Sequence, residues 1–236
     1  MLLGSAAEGI ADWHSDLDLL TYHQTLPPAE RVEVLVAGLG AAPLEIQAGH
    51  TTVADWEKRL DELLGEFKPD DPWQKVLSHY GDAVPLLGAD LVGRWQARIA
   101  RYPESWARPM VEHNLKVFPL WAAYGQVANR DATLWTYETL VEGAQRVLGM
   151  LAGLNRVYWS SFQFKRAHAF QDRLRWKPER LADRIDELFE CDPEAAAAGL
   201  EALVADTLDL VERYMPEVDT GRLRATIGQR HRAWGP

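Results

Sequence analysis

The chain has 236 residues, 47% of them hydrophobic, with 35 acidic against 25 basic side chains and a formal net charge of −10. So apolar a composition excludes a disordered chain, no uninterrupted apolar run approaches a membrane span, and the acid excess argues against long RNA or DNA as a ligand, which needs a basic face. Cys191 is the single cysteine, which excludes an internal disulfide and a Cys-based zinc site; with no basic-then-apolar leader pattern at the N-terminus, the expected location is cytoplasmic.

In chain order, Met1–Leu3 reads as the end of a short strand feeding a Gly4-Ser5 turn. Ala6–Ile10 follows as a short helix, and Asp12–Ser15 as a polar connector. Ser15-Asp16-Leu17-Asp18-Leu19-Leu20 opens a second strand running to about His23. Strand geometry sends alternate residues to opposite faces, so Asp16 and Asp18 share one face and Leu17 and Leu19 turn toward the core. Two neighbouring carboxylates repel each other and are tolerated where solvent or a divalent cation neutralises them. The glycine-containing turn just upstream brings backbone N–H groups near the same place, which suits phosphate.

Pro27 and Pro28 end this segment, and Pro28–Leu39 reads as a helix with Val32, Leu35, Val36 and Leu39 at three- and four-residue steps. In Pro43–Gly49, Leu44 and Ile46 alternate with Glu45 and Gln47, the pattern of a half-buried strand. Thr51 or Thr52, with Asp55 close behind, predicts a helix start, and that helix runs to about Phe67. Lys68-Pro69-Asp70-Asp71-Pro72 breaks the chain and predicts a boundary between residues 1–68 and 69–236. Beyond it the pattern is helical throughout: Trp73–Tyr80, Ala89–Arg101, Pro103 to about Ala128, Thr133–Tyr158, Ser160–Trp176, Pro178–Phe189, Pro193 to about Tyr214, and a short basic helix over Asp219–Arg232. The expected fold class is α+β, a small mixed-sheet core followed by an all-α helical bundle.

Gly4-Ser5, Gly9 and Ser15-Asp16-Leu17-Asp18, in this order and spacing, resemble the signature of the DNA polymerase β-like nucleotidyltransferase superfamily. Gly4-Ser5-Ala6 followed by Gly9 is similar to the aminoglycoside adenylyltransferases in particular, and a small core with a helical second domain looks like the small-molecule members. The resemblance implies an N-terminally short nucleotidyltransferase core and transfer of a nucleoside monophosphate, AMP from ATP foremost, to a hydroxyl, with pyrophosphate released. It implies that Asp16 and Asp18 hold one or two Mg²⁺ ions and that Glu45, a Glu where the wider family has Asp, completes the metal site, acts as general base, or both. Gly4 and Ser5 would approach the β- and γ-phosphates, where glycine keeps a side chain out of the way.

Lys165 and Arg166, set among aromatics, are the candidate cations for the triphosphate. Tyr158 and Trp159 read as core packing ahead of a stacking platform, and Glu112-His113-Asn114 forms a polar knot on an apolar helix. Three functions compete: adenylylation of a small hydroxylated molecule such as an antibiotic, for which the acidic surface suits a cationic acceptor; modification of a partner protein, as in antitoxin-like nucleotidyltransferases; and nucleotide binding without turnover.

Overall fold

The structure, a computed structural model, describes residues 1–31, 45–118 and 131–230. The chain is α+β and divides into two compact units, Met1–Tyr102 and Pro103–Pro236.

The first unit carries a three-stranded mixed sheet of β1 (Leu2–Leu3), β2 (Leu17–His23) and β3 (Ile46–Thr52), with β2 in the middle. A single helical turn, α1 (Gly4–Ala7), follows β1. β1 runs antiparallel to β2, with Leu3 opposite Asp18. β3 runs parallel to β2, with Leu17 opposite Ile46 and His23 opposite Thr52. β3 extends through Thr51, which pairs with Tyr22, so the strand ends later than its sequence pattern suggests. It passes directly into α2 (Val53–Gly65), whose cap is Thr52: the Thr52 hydroxyl accepts from the Asp55 N–H at 3.0 Å. That bond satisfies one of the donors a helix start leaves unpaired.

Among the described residues two further helices belong to this unit, α3 (Gln74–Tyr80) and α4 (Ala89–Ile99). Their apolar stripes are buried: Trp56, Leu60 and Leu63 on α2, Leu77 and Tyr80 on α3, Val92, Trp95 and Ile99 on α4. At the centre the Trp56 ring stacks on Tyr80 with centroids 4.9 Å apart, and Tyr22 of β2 lies 4.7 Å from Trp95. The Tyr80 hydroxyl donates to the Tyr22 hydroxyl at 3.0 Å. Tyr22 therefore carries β2 into the helical core. By strand alternation it shares its face with Asp16 and Asp18, while Leu17 and Leu19 on the other face are only half-buried.

The break at Lys68–Pro72 lies inside the first unit, because residues beyond it return to the sheet. Leu2 and Val84 exchange backbone hydrogen bonds at 2.8 and 3.0 Å. The Gln96 amide donates to the Ala83 carbonyl at 2.8 Å and holds that connector against α4.

Among the described residues the second unit is helical: α5 (Glu104–Asn114), α6 (Thr133–Asn155), α7 (Ala167–Asp172), α8 (Leu181–Glu190), α9 (Pro193–Tyr214) and α10 (Gly221–Arg224). α6 packs against α5 and α9, and α8 against α9. Gly149 and Gly153 of α6 let α5 approach closely; a Cβ there would collide with the Asn114 side chain or with the Ala107 carbonyl. α9 starts where Asp192-Pro193 predicts, with the Asp192 carboxylate accepting from Glu194 N at 3.1 Å and Ala195 N at 3.0 Å. The helix expected over Ser160–Trp176 is reduced to the six residues of α7. Gln163 and Arg166 adopt positive φ there, at 48° and 62°, which an α-helix cannot accommodate. The helix expected from Pro103 to about Ala128 ends at Asn114; residues 119–128, like the helix expected over Pro28–Leu39 beyond Arg31, lie outside the described residues.

Burial pushes the Tyr22 and Tyr80 phenols well above their ordinary range. The folded-state values exceed the unfolded value of about 10, so the stability these neutral phenols contribute is complete below about pH 10 and is lost as pH rises toward the folded values. Urea unfolding between pH 9 and 12 is expected to show stability falling by roughly 1.4 kcal/mol per pH unit per phenol above that point. The double variant Tyr22→Phe/Tyr80→Phe should fall less steeply; equal slopes would remove the phenol pair as the cause.

Candidate functional site

Three short pieces of backbone assemble the candidate site in the first unit: the Gly4-Ser5 turn, the start of β2, and the residue before β3. Gly4 has φ +66°, a conformation that costs a side-chain-bearing residue. It also stands against β2 so closely that a Cβ would fall on the Asp18 carboxylate. Both constraints favour glycine, and the close approach follows from β1 pairing antiparallel to β2 with Leu3 opposite Asp18. The turn closes on itself, with Glu8 N donating to Gly4 O at 3.1 Å and Ile10 N to Ser5 O at 3.0 Å.

The connector into β2 is a hydrogen-bonded turn. Asp12 Oδ1 accepts from His14 N at 2.9 Å and from the Ser15 hydroxyl at 3.2 Å, Asp12 N donates to Ser15 Oγ at 2.9 Å, and Ser15 N donates to Asp12 O at 3.0 Å. Ser15 thus fixes the direction in which the chain enters Asp16. The Asp-x-x-Ser spacing is a turn signal in its own right, and it could have been read from the sequence.

Asp16 and Glu45 lie one position before the first paired residues of β2 and β3, and Leu17 N donates to Glu45 O at 2.9 Å. The parallel register thus carries back to set Asp16 beside Glu45 and pairs Asp18 with Gln47, all four on one face by alternation. Asp16 and Asp18 are half-buried and Glu45 is exposed. Gln47 donates to Glu45 Oε1 at 3.3 Å, a contact that orients the Glu45 carboxylate.

Among the described residues no three or more His, Cys, Asp or Glu side chains converge as a metal-holding group. The donor set nevertheless suits Mg²⁺, a hard cation that takes one or two carboxylates and fills its remaining positions with water and substrate phosphate rather than with a protein cage. Asp16 and Asp18 would be the residues to supply those oxygens.

Glu8, at the end of the turn, pairs with Nδ1 of His79 on α3. This link between the glycine turn and a helix 71 positions away has no signature in the sequence.

Lys165 and Arg166 belong to the second unit, where both are exposed at the start of α7. Tyr158 and Trp159 are buried at 7% and 5% exposure, Tyr158 against Trp106 and Trp159 against Phe164, as core packing requires. The polar knot on α5 is divided: Glu112 pairs with Arg108, Asn114 is buried with its amide donating to Met110 O at 2.8 Å, and His113 Nε2 lies 3.2 Å from Arg146.

Compared with known proteins, the chain matches no family model and no curated protein.

Substituting Gly4→Ala adds a Cβ against Asp18 at a positive-φ position. The expected cost is about 1–3 kcal/mol of the first unit's stability, the scale of such backbone strain. Chemical denaturation followed by tryptophan fluorescence measures it, and a variant as stable as the parent would show that the turn does not sit on Asp18.

Proposed function

We propose that the chain is a Mg²⁺-dependent nucleotidyltransferase of the polymerase β-like type, with its catalytic core in the first unit and a helical domain in the second. It moves a nucleoside monophosphate, AMP from ATP foremost, onto a hydroxyl of a small molecule and releases pyrophosphate. The observation that carries this reading is the seating of the Gly4-Ser5 turn on Asp18, with Asp16 and Glu45 adjacent on the same sheet face.

In this reaction an oxygen–phosphorus bond forms between the acceptor hydroxyl and the α-phosphorus. The bond from the α-phosphorus to the bridging oxygen of the β-phosphate breaks, and the acceptor proton passes to a base. When bound, Mg²⁺ would neutralise the charge that spreads over the phosphoryl oxygens. Asp16 and Asp18 would hold it. The Gly4 and Ser5 backbone amides and the Ser5 hydroxyl would receive the β- and γ-phosphates, at a place where the missing side chain lets backbone and ligand meet. Glu45, exposed and bonded to the Gln47 amide, would take the acceptor proton.

The test is Mg²⁺-dependent pyrophosphate release from ATP across a panel of hydroxylated small molecules. Asp16→Asn and Asp18→Asn should each cut turnover by about 10²-fold or more, the scale of losing a preorganised electrostatic group. Unchanged turnover in both variants would remove the assignment. Labelled ATP supplied to cell lysate should place label in small molecules; label on a protein band would move the acceptor to a partner protein.

A further inference from the structure

Trp13 is fully exposed, at 101% of the reference for an open chain. A single apolar side chain at the surface is ordinary, but Trp13 stands out in two ways. It sits second in the Asp12–Ser15 turn, whose hydrogen bonds fix the backbone on both sides of it, and its indole stands in solvent. The segment it crowns also joins the two anchor points of the candidate site. One end is fastened to the glycine turn through Ile10 N and Ser5 O, and the other enters β2 at Asp16. Three residues of chain reach at most about 11 Å, so the backbone that carries the indole lies within the length of a nucleotide of the backbone at Asp16.

We propose that Trp13 is a binding residue that stacks on the base of the bound nucleoside triphosphate. The inference rests on the nucleotidyltransferase reading and adds to it the group that meets the base. An indole offers two flat faces and few rotatable bonds, so it contributes large contact area at small entropic cost. Any base presents a π-face, so such a platform strengthens binding with little choice among bases. None of the groups already assigned to the site contacts a base: Gly4, Ser5, Asp16 and Asp18 all address phosphate or metal, and Glu45 addresses the acceptor.

The experiment compares Mg²⁺–ATP and Mg²⁺–tripolyphosphate binding by calorimetry in the full chain and in its Trp13→Ala and Trp13→Phe variants. Tripolyphosphate carries the phosphate and metal contacts without a base. Trp13→Ala should weaken ATP about tenfold and leave tripolyphosphate unchanged, and Trp13→Phe should recover most of the loss. The substitution lies at an exposed turn, so thermal unfolding should be unaltered. Equal ATP affinity in the parent and Trp13→Ala would overturn the stacking role while the function reading stands. A parallel loss for ATP and tripolyphosphate would also overturn it, by showing that the indole acts through the turn. Failure of the parent chain to bind ATP would overturn both.

Discussion

The candidate site depends on one close approach. The backbone at Gly4 and the carboxylate of Asp18 occupy space that in almost any other sequence a Cβ would fill. The approach is possible because β1 ends at Leu3, opposite Asp18, and turns at once into α1, so the chain leaves the sheet beside the carboxylate it has just paired with. A residue with a side chain would push it off. The Gly4 backbone and the Asp18 carboxylate are thereby held side by side.

The far end of β2 is held by different means. Tyr22 is clasped by Trp56, Tyr80 and Trp95, so the strand is anchored in an aromatic core at one end and presents carboxylates at the other, on the same face. Dispersion and burial secure the aromatic end. The acidic end stays half-exposed, where charge is tolerable. The helices that supply Tyr80 and Trp95 follow the proline-rich break, so the stretch that reads as an interdomain linker is a surface turn within one unit.

The local features were legible in the sequence because their causes are local. Thr52 with Asp55, Asp192 with Pro193, the alternation of Leu17 and Leu19 with Asp16 and Asp18, and the α+β class itself all follow from neighbours a few residues apart. What escaped has causes far off in sequence. The pairing of Leu2 with Val84, the contact of Tyr22 with Trp95, and the link of Glu8 to His79 join segments that no periodicity connects. The shortening of the helix before Trp176 escaped for another reason: Gln163 and Arg166 take positive φ, which neither residue type signals in a sequence. Among the candidate residues, the sequence pattern placed Asp16, Asp18 and Glu45 on matching faces, but their mutual register needed the parallel pairing of β2 with β3.

That pairing also works as a ruler. Along β2, residues two apart are separated by about 6.6 Å, and across to β3 neighbouring positions are about 4.8 Å apart. Asp16, Asp18 and Glu45 therefore stand at three corners of a nearly rectangular grid whose spacings are dictated by backbone hydrogen bonding, with side chains supplying only the last reach. An oxygen ligand set on such a grid tolerates exchange of side-chain length at one corner only when another corner compensates. The Glu at position 45, one methylene longer than an Asp, has the length to turn its carboxylate along the strand to the Gln47 amide.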